Sequence, residues 1–282
     1  MIKEAWYRVG GPVLGQTPGR HRSRRGDSGL EFRGHASLLD APDPRRLDLH
    51  ASLRDPFGDW RVRLNSQRRA VPVWVMADLS ASMVYAGRRR KPEVLADLVD
   101  SLALSAWRSG DSFGFIGCDA RVRPDWLQLP TRARGAGHGI ARALRDWQGA
   151  DADAGSAQGL LQAWRWLGHR RGLVFLVSDF HLPLEMVRDV LASLSAHEVV
   201  PVVLWDAQEF ELGPPRGLAR VFDPESGRRR LVWWRPALRE RWRQALLERR
   251  EALLQLFAAR RLSPLFIEEG YDADALTRHF LG

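Results

Sequence analysis

The run VWVMADLSASM, residues 73–83, alternates bulky side chains and then delivers one carboxylate and two hydroxyls, Asp78, Ser80 and Ser82, at every second position. Residues spaced i, i+2 and i+4 in extended chain share a face, so the three oxygens can converge on one ligand. Two further stretches offer oxygen donors. DADAGSAQG places Ser156 just before a helical pattern that starts near Ala157, and FLVSDF carries Asp179 at the tip of an apolar run. Two carboxylates and three hydroxyls, with no thiolate or imidazole, form a hard-oxygen set suited to octahedral Mg²⁺ or Mn²⁺ and poorly suited to zinc. Singly, each stretch reads as a loop cap or a polar strand end. Together, each at the end of a strand or the start of a helix, they point to one metal site.

The elements that must position these residues follow from periodicity. From Val71 onward short apolar runs alternate with helical segments, the pattern of an α/β protein with a doubly wound, mainly parallel sheet. Strands are expected over 72–78, 111–117, 172–179 and 199–205. Leu95, Leu98, Val99, Leu102, Ala106 and Trp107 recur at helical spacing behind Pro92 and predict a helix over about 91–109. Leu160, Leu161, Trp164 and Leu167 predict a second helix, and Leu184, Val187, Leu191 and Leu194 a third. GLARVFDPESGRRRLVWW reads as a hairpin around DPESG at one sheet edge, followed by a long helix opened by Pro236, a short strand at PLFIEE and a terminal helix. In such a sheet ligands collect beyond the carboxyl ends of the strands, where all three donor stretches fall.

Residues 1–70 read as an extension and 71–282 as the main domain. GGPVLGQTPGRHRSRRGDSG, residues 10–29, has little to bury and is expected to be a flexible basic loop. LDLHASL (47–53) and WRVRL (60–64) alternate apolar and polar residues and predict an antiparallel pair.

Composition narrows the function classes. The 282-residue chain carries 43 basic and 34 acidic residues, a net charge of +9, and its only lysines are Lys3 and Lys91. That balance permits nucleic-acid or acidic-protein partners, with clusters at Arg20–Arg25, Arg88–Lys91 and Arg228–Arg230 as docking points, although no nucleic-acid-binding motif accompanies them. The single cysteine, Cys118, excludes an internal disulfide framework and reads as a small apolar residue. No run approaches the length of a membrane span and the first residues lack a signal-peptide core, so a cytoplasmic location is expected. GDSG (26–29) lacks the surroundings of a protease nucleophile, GAGHG (135–139) lacks a preceding strand suited to a nucleotide fingerprint, and no Walker A sequence occurs.

DLSASM, RKPEVLADLVDSLALSAWRSGDSFGF, GSAQGLLQA and LVFLVSDF together resemble von Willebrand factor A domains with their metal-ion-dependent adhesion site. More narrowly they are similar to bacterial A-domain proteins encoded beside MoxR-type AAA+ ATPases, including the methanol-oxidation type. The likeness spans roughly 31–282. It implies direct hydroxyl ligands at Ser80 and Ser82, with Asp78 and Asp179 binding directly or through water. Ser156 stands where the family usually has threonine, and Asp153 could share its role. The segment LDAPDPRRLDL departs from the glycine-aspartate and tryptophan that the family shows there.

The resemblance implies a non-enzymatic, Mg²⁺-dependent interaction module that works with a MoxR-type ATPase in maturation or cofactor insertion of a client protein. A cation held by neutral hydroxyls and few carboxylates stays electron-poor and favours a carboxylate from a partner. Two alternatives stay open: a metal-assisted phosphohydrolase, which would need a second metal or a positioned base, and a basic nucleic-acid binder.

Overall fold

The computed structural model describes residues 3–8, 18–22, 31–66, 68–85, 87–149, 156–206, 208, 217–222 and 229–281. The chain divides into two compact units, Val9–Val71 and a larger one made of Met1–Arg8 with Pro72–Gly282.

The smaller unit contains β1 (Pro18–Arg22), β2 (Glu31–Ser37), α1 (Leu49–Leu53), β3 (Arg61–Ser66) and β4 (Arg68–Arg69). β1 pairs with β4 and β2 with β3, both antiparallel. Two expectations are corrected. Residues 18–22, inside the expected flexible loop, form strand β1; the rest of 10–29 lies outside the described residues. Residues 47–53 do not pair as a strand beyond one bridge at Leu47, because Asp48 caps a helix there: its Oδ1 accepts the Ala51 amide at 3.1 Å. Leu49 and Leu53 stay exposed, so burial offered no reward for the alternating pattern, and the cap decided the conformation. Asp48 also accepts from His35 and Arg63, which hold its carboxyl well below the usual carboxylate range.

The larger unit runs β5 (Pro72–Asp78), α2 (Lys91–Ser109), β6 (Ser112–Cys118), β7 (Val122–Thr131), α3 (His138–Asp146), α4 (Leu160–Ala163), β8 (Leu173–Ser178), α5 (Leu184–Ser193), β9 (Glu198–Leu204), β10 (Gly217–Phe222), β11 (Arg229–Trp234), α6 (Pro236–Ala258), β12 (Leu265–Ile267) and α7 (Ala273–Leu281). Six strands form one sheet in the order β12-β9-β8-β5-β6-β7, all parallel except the edge strand β7. Counted from β5, this is the 3-2-1-4-5-6 order of a doubly wound α/β sheet, the fold class expected from the sequence. β10 and β11 pair antiparallel as expected, but as a separate two-stranded sheet and not at the edge of the six-stranded one.

Both faces of the sheet are covered. Trp74 and Met76 of β5, Ile116 of β6 and Val174 and Leu176 of β8 pack with residues of α4, α5 and α6, among them Leu160, Val187, Leu253 and Phe257. The intervening residues Val73, Val75 and Ala77 are equally buried and point to the other face, where α2 contacts β5 and β6. Truncating one of the buried leucines of α2, such as Leu98, to alanine costs about 2–5 kcal/mol. α2 stops at Gly110, whose φ of 73° makes the left-handed turn that lets its amide reach the Ala106 and Trp107 carbonyls.

Three details depart from the sequence reading. β7 was not foreseen, since Pro124 and Pro130 interrupt its pattern, and an edge strand is where such residues are tolerated. The helix expected from Leu160 shortens to α4 and continues as a 3₁₀ turn over Trp164–Trp166. Residues 3–8, placed in the extension by sequence, belong to the larger unit: the Ser105 hydroxyl accepts the Ala5 amide at 3.0 Å, the Ser101 hydroxyl donates to the Lys3 carbonyl at 2.7 Å, and the Tyr7 hydroxyl donates to Asp111 at 2.6 Å. Among the described residues no helix is long and apolar enough to cross a membrane.

Candidate metal centre

In a sheet of this order the crevice for a ligand opens where the chain winds in opposite directions from the first strand, between β5 and β8. Asp78 ends β5, and Asp179 follows β8 directly. The parallel register aligns Ala77 with Val177, which brings Asp78 level with Ser178.

Asp78 is fully buried. Its Oδ1 accepts the Ser80 amide at 2.8 Å, an Asx-type turn that folds the chain back over the strand end. Its Oδ2 accepts the Ser178 hydroxyl at 2.6 Å. The turn carries Ser80 and Ser82 to the same place, their Oγ atoms 3.2 Å apart, with Ser80 buried and Ser82 partly exposed at the start of a 3₁₀ turn over Ala81–Val84. That separation is close to the edge of about 3 Å expected for an octahedron with metal–oxygen bonds of roughly 2.1 Å.

Asp179 is also fully buried, and its environment is of opposite kind. Its Oδ2 lies 3.0 Å from the ammonium of Lys91, whose side chain is itself buried, and its Oδ1 accepts the His181 amide at 3.1 Å. The Trp205 indole donates to the Asp179 carbonyl at 2.7 Å, and the His181 ring stacks on that indole with 3° between the planes. The next residue, Phe180, has φ of 53°, a left-handed conformation that costs a non-glycine residue of order 1–2 kcal/mol. It is held there by the Ser178 hydroxyl accepting its amide at 2.8 Å, by Arg249 donating to its carbonyl, and by edge-on packing on Phe257.

These surroundings push the two carboxyls apart. Burial, and then the nearby charge of Asp179, raise Asp78 to about 6, and its hydrogen bonds only partly oppose this. Burial also acts to raise Asp179, but the charges of Lys91 and His181 and the hydrogen bonds outweigh it, so Asp179 is lowered. The oxygen set therefore carries an uncompensated demand for positive charge on the Asp78 side, which fits a divalent cation. Among the described residues no group of three or more histidine, cysteine or acidic side chains is placed to hold a metal, so any ion would depend on the hydroxyls.

The structure thus brings Asp78, Ser80 and Ser82 together beside Asp179. Ser156 lies four residues ahead of α4, partly exposed, and takes no part in the hydrogen bonds that join the other residues. Asp153 lies outside the described residues. Cys118 packs as an apolar core residue, and burial raises its thiol far above the usual range.

Two participants escaped sequence reasoning. Ser178 sits inside the quoted FLVSDF, but a serine within a buried strand carries no signal of its partner. Lys91 falls in the Arg88–Lys91 cluster that the sequence offers as a docking point for an acidic partner. In fact Lys91 is buried on Asp179, Arg89 pairs with Asp97 at 3.2 Å, and Arg90 donates to the Arg145 and Trp147 carbonyls. The usable signal was that Lys91 is one of two lysines in a chain that otherwise uses arginine.

An uncharacterized protein in the moxR 3' region of Paracoccus denitrificans is 40% identical over 101 residues, which is 36% of this chain and 96% of that protein. An uncharacterized protein of Mycobacterium tuberculosis is 28% identical over 205 residues, 72% of this chain; the chain spans 63% of that relative's length. Among solved structures, the VWA domain of SpRpn10 aligns over 75% of this chain and 94% of its own, with 12% identity and a TM-score of 0.41. An aerotolerance-related membrane protein from Bacteroides fragilis aligns over 75% and 97%, with 14% identity and a TM-score of 0.41. Residues 42–252, well over half of the chain, match the family described as Protein of unknown function DUF58, and the chain belongs to that family.

Proposed function

We propose that this protein is a non-enzymatic, Mg²⁺- or Mn²⁺-dependent interaction module that works with a MoxR-type AAA+ ATPase. The observation that carries the reading is the meeting of Asp78, Ser80 and Ser82 with Asp179 at the switch point of the sheet. Ser80 and Ser82 would hold the ion, with Asp78 and Asp179 binding directly or through water, and Ser156 is the further candidate ligand. The cation would supply an electrophilic contact for a carboxylate of a partner, reached from the side where Ser82 is exposed. The ATPase partner is supported by the Paracoccus relative, whose name places it beside moxR.

The finer reading is maturation or cofactor insertion of a client such as methanol dehydrogenase. It rests on the sequence likeness to the methanol-oxidation S protein, MxaS. A phosphohydrolase built on the same carboxylates would need a second metal or a base; His181, the imidazole nearest Asp179, is stacked on Trp205. Calorimetric titration with Mn²⁺ tests the proposal: one site in the wild type and none in Asp78→Ala. Unchanged binding in that variant would place the metal elsewhere, and turnover of generic phosphate esters with Mg²⁺ would move the protein into the enzyme class.

A further inference from the structure

We propose that Lys91 is a built-in cation, which holds Asp179 when no metal is bound and which a divalent ion must displace to occupy the site. The inference rests on the metal-site reading above and extends it to how the site is regulated.

The placement of Lys91 is unusual on three counts. It opens α2, a 19-residue helix, and a positive charge in the first turn opposes the helix dipole. Its side chain is 5% exposed and that of Asp179 0%, so both charges have left water, a cost that only close pairing offsets. In a chain whose other basic residues are all arginine except Lys3, this position carries the compact ammonium, a point charge and the side-chain cation most like a metal ion.

The surroundings hold the ammonium against the carboxylate. Its Nζ lies 3.0 Å from Asp179 and 5.6 Å from the centre of the Tyr85 ring. Tyr85 ends the turn that bears the candidate ligands, its amide bonded to the Ser82 carbonyl at 3.2 Å. The loop between Tyr85 and Lys91 is pinned by Asp206 just past β9, which accepts the Arg88 amide at 2.8 Å. The lysine therefore reaches Asp179 from a fixed base, and its four-carbon stem can swing away from the carboxylate while the helix stays in place. Two cations cannot share one buried carboxylate without mutual repulsion, so metal entry and the Lys91–Asp179 pair compete. The protein folds without metal, its affinity for metal is reduced by the strength of that pair, and ion binding releases a lysine next to the surface a partner would meet.

The test uses the full chain with Mn²⁺ as the calorimetric probe and thermal unfolding with and without Mg²⁺. A charge-assisted contact contributes about 1.5–3 kcal/mol. Lys91→Met should therefore bind Mn²⁺ about tenfold to a hundredfold more tightly than the wild type. Its melting temperature should be lower than the wild type's in EDTA and should rise more on adding Mg²⁺. Lys91→Gln, which keeps a donor for Asp179 but no charge, should show the same tighter binding and serves if Lys91→Met does not fold. Equal Mn²⁺ affinity in the wild type and the variants would overturn the inference and leave the metal site standing. Absence of binding in all of them would overturn the metal reading itself and this inference with it.

Discussion

The ends of β5 and β8 carry the same side chain at the same depth, yet Asp78 and Asp179 behave oppositely. Asp78 meets only hydroxyls and an amide and is raised; Asp179 meets an ammonium and is lowered. Burial is complete at both, so burial does not separate them. What separates them is the Lys91 ammonium beside Asp179. On the β8 side the chain supplies the compensating cation itself, and on the β5 side hydroxyls and an amide compensate Asp78 only in part.

The largest way to break that contrast is from the β8 side. Asp179→Ala leaves the Lys91 ammonium buried without its carboxylate, and should cost about 3–5 kcal/mol in denaturant unfolding. Adding Lys91→Met to that variant should recover much of the loss. If the double variant is as unstable as the single one, the cost lies in packing and the ion pair does not define this side.

From the β5 side the contrast is tested by pH. Asp78 has its folded value raised above 3.8 to about 6, so its contribution to stability is complete below about pH 4 and is lost as pH rises through about 6. The loss amounts to on the order of 3 kcal/mol. In metal-free buffer, Asp78→Asn should lack this decline, and saturating Mg²⁺ should diminish it in the wild type. Parallel profiles for the two proteins would show that Asp78 is not strained by its charge. Asp179, being lowered, contributes with the other sign, and its share is lost only as pH falls through its depressed value.

Ser178 joins the two sides, donating to Asp78 while accepting the Phe180 amide. Ser178→Ala orphans a buried amide and should cost about 1–3 kcal/mol, read by the same unfolding measurement. The smallest effect on stability is expected at Ser82, which is partly exposed and whose hydroxyl meets Ser80 Oγ: Ser82→Ala should change stability by about 0.5 kcal/mol or less. A large loss there would mean that Ser82 supports the turn and is not held in reserve for a ligand.

The parts legible in the sequence were those set by local pattern. Alternating bulky residues located β5, a short apolar run located β8, and helical spacing behind Pro92 located α2 at Lys91–Ser109. The every-second-residue spacing of Asp78, Ser80 and Ser82 announced their convergence. Competing local chemistry hid other parts: the Asp48 cap turned an alternating stretch into α1, and Pro124 and Pro130 masked β7. The Lys91–Asp179 pair spans 88 residues, and its formation depends on where α2 begins relative to β8, which no local pattern encodes. The asymmetry between the two carboxylates was therefore invisible until the strands were placed side by side.

The most direct test of the central claim is the affinity of the full chain for a nucleotide-free MoxR-type ATPase from the same genome, measured in Mg²⁺, in EDTA and across a salt series, for the wild type and Ser82→Ala. A metal-mediated contact predicts that Ser82→Ala and EDTA each weaken the complex about tenfold to a hundredfold, and that EDTA adds little to the variant. Exposed arginines such as Arg230 would act instead through diffuse attraction, which salt screens. A complex that survives both EDTA and Ser82→Ala but falls apart at moderate salt would contradict the metal-dependent mechanism.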